Sequence, residues 1–375
     1  MPDTPSVTWN DAALDVIRRE RPEPVAAARV LYALHAALFR TWVAHDPPPG
    51  PRTGDTWQDA ERHDAMACAA WTVLCAAFPA HTPAFTRRLE AAGLSRPTRV
   101  PEPGSPAAAG RLADSASGGP DDTLFALRRP LHGQFAPPVP WGTPEYLEQV
   151  REVLAYSAGL TAQQQAAAHY WADGPGGEGV PGLWTALAAH VSRRDAHAPD
   201  QDVKMYLVLT GALLDASAAC WAAKAWYGAV RPQSAVRALL GGRIVRGWDR
   251  AAHGDAAFPA DRWQPYVAAP PWPGYPSTHS TLSAAAAQVL CMWTGSDVFG
   301  AGATVTARTT LGQPPLRLSW ATFTDAADEA GLSRRYAGVQ FRDGDLAGRA
   351  AGRQIGRLAF QHAQRLVHPG LRPAP

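Results

Sequence analysis

The chain has 375 residues, of which 46% are hydrophobic and 18% charged; this balance supports a large buried core and excludes a disordered or collagen-like polymer. With 35 basic and 33 acidic residues the net charge is +2, which excludes the strong field expected of a nucleic-acid binder or an anionic-membrane binder. The basic residues are nearly all arginine, and the only lysines are Lys204 and Lys224.

Cys68, Cys75, Cys220 and Cys291 show no C-x-x-C pairing, and a chain of this length needs no disulfide framework, so buried free thiols are expected. The opening residues are polar and proline-punctuated, and no apolar run reaches about 18 residues. These features predict no signal segment, no membrane span and a cytoplasmic protein.

Helical periodicity predicts a helix from Val25 to Val43, ending at the breaker DPPPGPRTG, and another from Gln58 to Phe78, ending at Pro79. Residues 96–122 are rich in Pro, Gly, Ser and Ala and predict an exposed loop. Helices resume from Glu145 to Ala158. Thr161 and Gln164 then read as a capping pair for a helix reaching Trp171. Further helices are expected at Gly182–Arg194, Asp200–Trp226, Ser280–Trp293, Asp325–Ala330 and Asp345–Leu366, with a loop at 247–276 and a frayed tail at 367–375. Apart from short candidates such as GRIVRGW, no strand pattern is long enough to count. The fold class is therefore all-α, one domain spanning 1–375 with its core at about 25–366.

Three segments carry candidate chemistry. In KAWYGAVRP, Lys224 and Arg231 lie two helical turns apart, and Pro232 turns Arg231 out of helical geometry. They read either as a pair of helix-end cations or as an anion site. In PWPGYPSTHS, a Pro-rich loop enters a helix at Ser277, Thr278 and His279, where unpaired N–H groups favour an anion; an ordinary N-cap beside a surface histidine is the plainer alternative. In SRRYAGVQFRDGD, Arg334 follows the turn-former Gly331. Combined, the three cations, a serine hydroxyl and a helix end match the oxygens of a tetrahedral oxyanion.

The order K-x6-R-P, P-S-x-H, S-R-x-x-x-G resembles the vanadium-dependent haloperoxidases and their relatives, the type-2 phosphatidic acid phosphatases. ARVLYALHAALF, YWADGPG and FTDAADEAGLSRRYAGV extend the likeness to the bacterial haloperoxidase-like branch, over roughly 25–360. This resemblance implies two packed helix bundles with vanadate, or phosphate in its place, held by Lys224, Arg231, Ser277, Thr278 and Arg334. It implies His279 as acid/base, with Lys224 and Arg334 as its catalytic companions. At position 340 the family pattern has a histidine that bonds vanadium or attacks phosphorus. Here the residue is Gln340, whose amide has no basic nitrogen. Histidine-anchored vanadate and a phosphohistidine are thereby excluded at this position. Asp215, on the helix leading to Lys224, is a candidate to orient His279, with a plain surface carboxylate as the equal alternative.

The expected function is halide oxidation with hydrogen peroxide, halogenating a small molecule of secondary metabolism. One alternative is a cofactor-independent acid/base enzyme that isomerises, rearranges or cyclises a small metabolite. A non-catalytic phosphate-binding relic is the second. Peroxide, halide and a small organic substrate are the expected partners, without nucleic acid or membrane, and a homodimer is the assembly to test.

Overall fold

The computed structural model describes residues 3–45, 56–95, 124–128, 133, 135–172, 177–249, 254–305 and 316–367. The expected loop at 96–122 and, apart from Val367, the expected tail lie outside the described residues. In chain order the helices are α1 (Pro5–Glu20), α2 (Pro24–Ala44), α3 (Thr56–Ala77), α4 (Thr82–Ala91), α5 (Pro144–Ala158) and α6 (Ala162–Ala172). They continue as α7 (Gly179–Arg194), α8 (Pro199–Tyr227), α9 (Pro232–Leu240), α10 (Thr278–Thr294), α11 (Phe323–Tyr336) and α12 (Arg342–Val367). Antiparallel hairpins join β1 (Ile244–Asp249) to β2 (Gly254–Pro259) and β3 (Val298–Val305) to β4 (Leu316–Thr322). The architecture is helical, as the periodicity predicts.

Two compact units divide the chain: residues 1–125, 175–214 and 362–375 form the first, and 126–174 with 215–361 the second. The first unit is built on Leu14, Ile17, Leu31, Leu34, Leu38, Met66 and Leu74. Its core includes α1, so it begins well before residue 25. The acidic and basic residues of α1 mask an apolar stripe of Val7, Leu14 and Ile17, all buried, and Thr4 caps the helix by accepting from Val7 N at 3.4 Å. Asp202, fully buried in this unit, accepts from Thr4, Ser192 and His197.

In the second unit, α5, α9 and β1 close around Trp263, while Leu160, Tyr266 and Val339 form a smaller cluster. Thr161 and Gln164 cap α6 reciprocally, at 3.2 and 3.0 Å. The hairpins correct the expected loop at 247–276 and the absence of convincing strands. GRIVRGW supplies β1, and in β4 alternation buries Leu318 and Trp320 while their neighbours face outward. α10 packs along α11. α12 lies against α10 through Gly348, Gly352 and Gly356, where β-carbons would fall 2.9, 2.2 and 2.6 Å from the carbonyl oxygens of Ser277, Thr281 and Ala285. Only glycine permits that approach, and it fixes the helix whose N-terminus carries the PSTH segment.

Among the described residues one helical stretch, Pro199–Leu240, is long and apolar enough to cross a membrane, and 83% of its most apolar window is buried within the protein. None of the four cysteines forms a disulfide; Cys220 is buried and the others are half-buried.

Candidate functional site: a buried cationic cradle

Lys224 sits in the last turn of α8, where apolar residues carry it into the interior and leave it 2% exposed. Its ammonium donates to the carbonyls of Pro273 and Pro276, at 2.8 and 2.6 Å. Burial pushes its pKa down to about 8, and Arg231 adds to that depression. Arg231 is the N-cap of α9, extended because Pro232 follows it. Its Nε donates to Trp272 O at 3.0 Å and one terminal nitrogen to Val339 O at 2.9 Å, and burial lowers its pKa to about 10. Arg334, 5% exposed on α11, donates to Ala168 O and to the Ser333 hydroxyl. Backbone carbonyls thus pin the cations. An ammonium has three donors and a guanidinium five, so Lys224 and Arg231 keep donors beyond the bonds named here.

Ser277 begins α10 as its N-cap, accepting from Ser280 N at 3.2 Å. The N–H groups of Thr278 and His279 precede the first intrahelical bond and form the positive end of the helix. The Ser277 and Ser280 hydroxyls lie 2.8 Å apart, and Ser280 is also 2.8 Å from Asp345 Oδ1. A carboxylate only accepts, so Asp345 takes the Ser280 proton and Ser277 directs its own toward Ser280. The expected hydroxyl donor of the cradle is thereby drawn into a Ser277–Ser280–Asp345 chain. Thr278 turns its hydroxyl to Cys220 Sγ, 3.6 Å away.

His279 is the focus of the cluster. Its Nε2 lies 2.6 Å from Trp171 O, which can only accept, so Nε2 carries the proton and the lone pair of the neutral ring is on Nδ1. Burial, then Arg334, and more weakly Arg231 and Lys224, hold its pKa well below 6.5. Each of the three cations acts on this one imidazole. Asp215 does different work from that expected: its Oδ2 accepts the N–H groups of Ala126 and Leu127 at 2.8 and 3.0 Å. The orienting group on His279 is a main-chain carbonyl at the end of α6, invisible to any search for side-chain partners.

Gln340 is 4% exposed, and among the described residues its amide makes no hydrogen bond. It lines a cavity of about 370 Å³ together with Tyr146, Tyr275, Phe341 and Asp343. None of the five cradle side chains lines that cavity. The main chain links the two places: Arg231 bonds the carbonyl preceding Gln340, and Ser277 N donates to Gly344 O at 3.0 Å. The donor set fits a tetrahedral oxyanion held by charge and N–H groups. It does not fit a metal anchored through nitrogen at position 340, because a carboxamide offers only a weak neutral oxygen there.

Residues 204–369 match the family model described as the VCPO second helical-bundle domain. Among solved structures, an apo-type bacterial vanadium-dependent chloroperoxidase superposes with a TM-score of 0.76 at 18% identity, over 92% of this chain and 94% of that one. A holo-type bacterial vanadium-dependent chloroperoxidase gives 0.72 at 20% identity, over 92% and 93%. A bacterial vanadium-dependent iodoperoxidase gives 0.64 at 18% identity, over 96% and 97%. No curated protein sequence matches significantly. The chain therefore carries the fold of the bacterial vanadium-dependent haloperoxidases, and its residues 204–369 are similar to their second helical-bundle domain.

Proposed function

We propose that the chain is an oxyanion-binding enzyme of the haloperoxidase type, acting on a small organic molecule. Lys224, Arg231, Arg334 and the N–H groups of Thr278 and His279 hold vanadate, or phosphate in its place. Vanadate bound there supplies Lewis-acid activation of hydrogen peroxide toward halide. The chain's own part is to neutralise the oxyanion, to exclude bulk water by burial, and to move a proton at His279 Nδ1. One observation carries the reading: two buried cations, Lys224 and Arg334, and the half-buried Arg231 bear on a single neutral imidazole at a helix N-terminus. An oxyanion bound among them would cancel their field and return the His279 pKa toward its ordinary range.

A second reading is cofactor-independent acid/base catalysis on the same scaffold. It is favoured by Gln340, which lines an organic-sized cavity and offers no nitrogen lone pair. Calorimetric titration with orthovanadate and with phosphate, beside a bromide-oxidation assay with peroxide, separates the two. Binding with bromide turnover supports the first. No oxyanion binding and no bromide turnover, in a protein that converts a metabolite, sinks it. Binding without any turnover would leave a phosphate-binding relic.

A further inference from the structure

The cavity beside Gln340 has a composition that the oxyanion site does not explain. Its aromatic wall has two groups of rings: Trp141 and Tyr146 lie 5.0 Å apart and Tyr146 and Phe341 5.3 Å, while Tyr227 and Tyr275 lie 5.2 Å apart between ring centroids. No Lys, Arg or His is among its lining residues. Its one carboxylate, Asp343, already accepts from Val139 N at 2.9 Å and Gly344 N at 2.6 Å. Two polar groups on the wall have no hydrogen-bond partner among the described residues: the Gln340 amide, 4% exposed, and the Tyr146 hydroxyl, on a residue 7% exposed. Neither group is sealed off as a fully buried unpaired atom, so both keep polar atoms open to the cavity, where a ligand can supply their bonds. Trp141, on the same wall, is 52% exposed.

We propose that this cavity binds a neutral aromatic molecule carrying one hydroxyl or amide group, with Gln340 and Tyr146 as its hydrogen-bond partners and the aromatic wall as its stacking surface. Both side chains donate and accept, so they suit a group that does the same. The Asp343 carboxylate disfavours an anion. Cavities of this size and apolar character bury most of a one- or two-ring molecule. Position 340 then acts as a specificity residue toward the organic molecule. That this molecule is the one transformed rests on the proposed function; that it binds does not.

The probe is 2-naphthol, titrated into the full chain by calorimetry, with naphthalene, 2-naphthoate and 2-naphthylmethylammonium as comparators. The expected result is saturable 2-naphthol binding that weakens about 5- to 10-fold in Gln340→Leu and in Tyr146→Phe, the loss of one hydrogen bond each. Naphthalene binding should change less than about 2-fold in both variants, which excludes a general loss of folding. Trp141→Ala, at an exposed position, should weaken all the neutral probes. Absent 2-naphthol binding, or binding indifferent to both polar variants, overturns the proposal. Tighter binding of the ammonium assigns the cavity to a cation, and tighter binding of 2-naphthoate assigns the affinity to the cradle; either result overturns it. Orthovanadate binding measured on the same samples keeps the two readings apart. Loss of naphthol binding with oxyanion binding intact defeats this inference alone, and the reverse defeats only the oxyanion reading.

Discussion

The amide nitrogen of Gln340 rests directly on the α-carbon side of Gly344, so closely that a β-carbon there would fall 2.2 Å from Nε2. The amide is thus held over the first turn of α12, and Gly344 O in turn receives Ser277 N. Gly344→Ala is expected to swing the amide aside. A flexible side-chain end gives way cheaply, so unfolding in urea should show a loss below about 1.5 kcal/mol.

Gly352→Ala makes the contrasting case. Its β-carbon would fall 2.2 Å from Thr281 O, and a main-chain carbonyl in α10 cannot rotate away. The helices must separate, at an expected cost of about 1–3 kcal/mol in the same measurement. Oxyanion affinity should fall too, because α10 carries the cradle's N–H groups. A loss no larger than that of Gly344→Ala would show that α12 does not fix α10.

Lys224 predicts the pH behaviour. Its pKa, pushed down to about 8 from an ordinary 10.5, means that the folded protein releases this proton before the unfolded chain does. Below about 8 both states hold the proton and the cost of a buried charge is at its full size. Between about 8 and 10.5 the unfolded state binds more protons, so this group's contribution to stability rises with pH. Oxyanion binding has the opposite dependence. Affinity should fall as pH rises through 8, and calorimetry at pH 8–9 in buffers of different ionisation enthalpy should register proton uptake on binding. Arg231, at about 10, stays charged throughout that range.

For His279, the Nε2 bond to Trp171 O leaves Nδ1 as the working nitrogen. His279→Ala should lower turnover by about two to four orders of magnitude if the ring is the general acid/base. Removing a neutral ring leaves the cations in place, so orthovanadate titration should retain binding. Unchanged turnover would move the proton transfer elsewhere.

Much of the cradle was legible because its residues sit at chain positions that proline and helix ends define: Arg231 before Pro232, Ser277 before α10. Its supports were not, because they are main-chain groups brought in by the fold, such as Trp171 O on His279 and Val339 O on Arg231. Asp215 shows the limit well. Its place before Lys224 is plain in the sequence, yet tertiary structure gives its carboxylate to the backbone of residues 126 and 127. The glycines at 344, 348, 352 and 356 recur every four residues and signal one small helix face, a pattern that composition alone dissolves. α1 escaped because its charged residues lower the average hydropathy while its buried face remains regular. The cavity wall draws on residues from 138 to 343, and no local pattern joins them.

Gln340→His decides what position 340 means. If the cradle holds vanadate, the imidazole adds the nitrogen lone pair that the carboxamide lacks, and vanadate affinity and bromide oxidation should both rise. The ring needs a partner to fix its tautomer. Asp345 is committed to Ser280, Arg335 and Arg349. Asp343 lines the same cavity as Gln340, and its two oxygens accept one backbone bond each, from Val139 N and Gly344 N, which leaves lone pairs for an imidazole N–H. The gain in Gln340→His should therefore shrink when Asp343→Asn is added, while the same change in the parent protein leaves vanadate affinity nearly unaltered. Equal bromide oxidation in parent and variant would show that charge and N–H groups suffice and that a nitrogen at position 340 adds nothing. Loss of vanadate binding in the variant would show that the amide itself, turned from the cavity, contributes to the cradle.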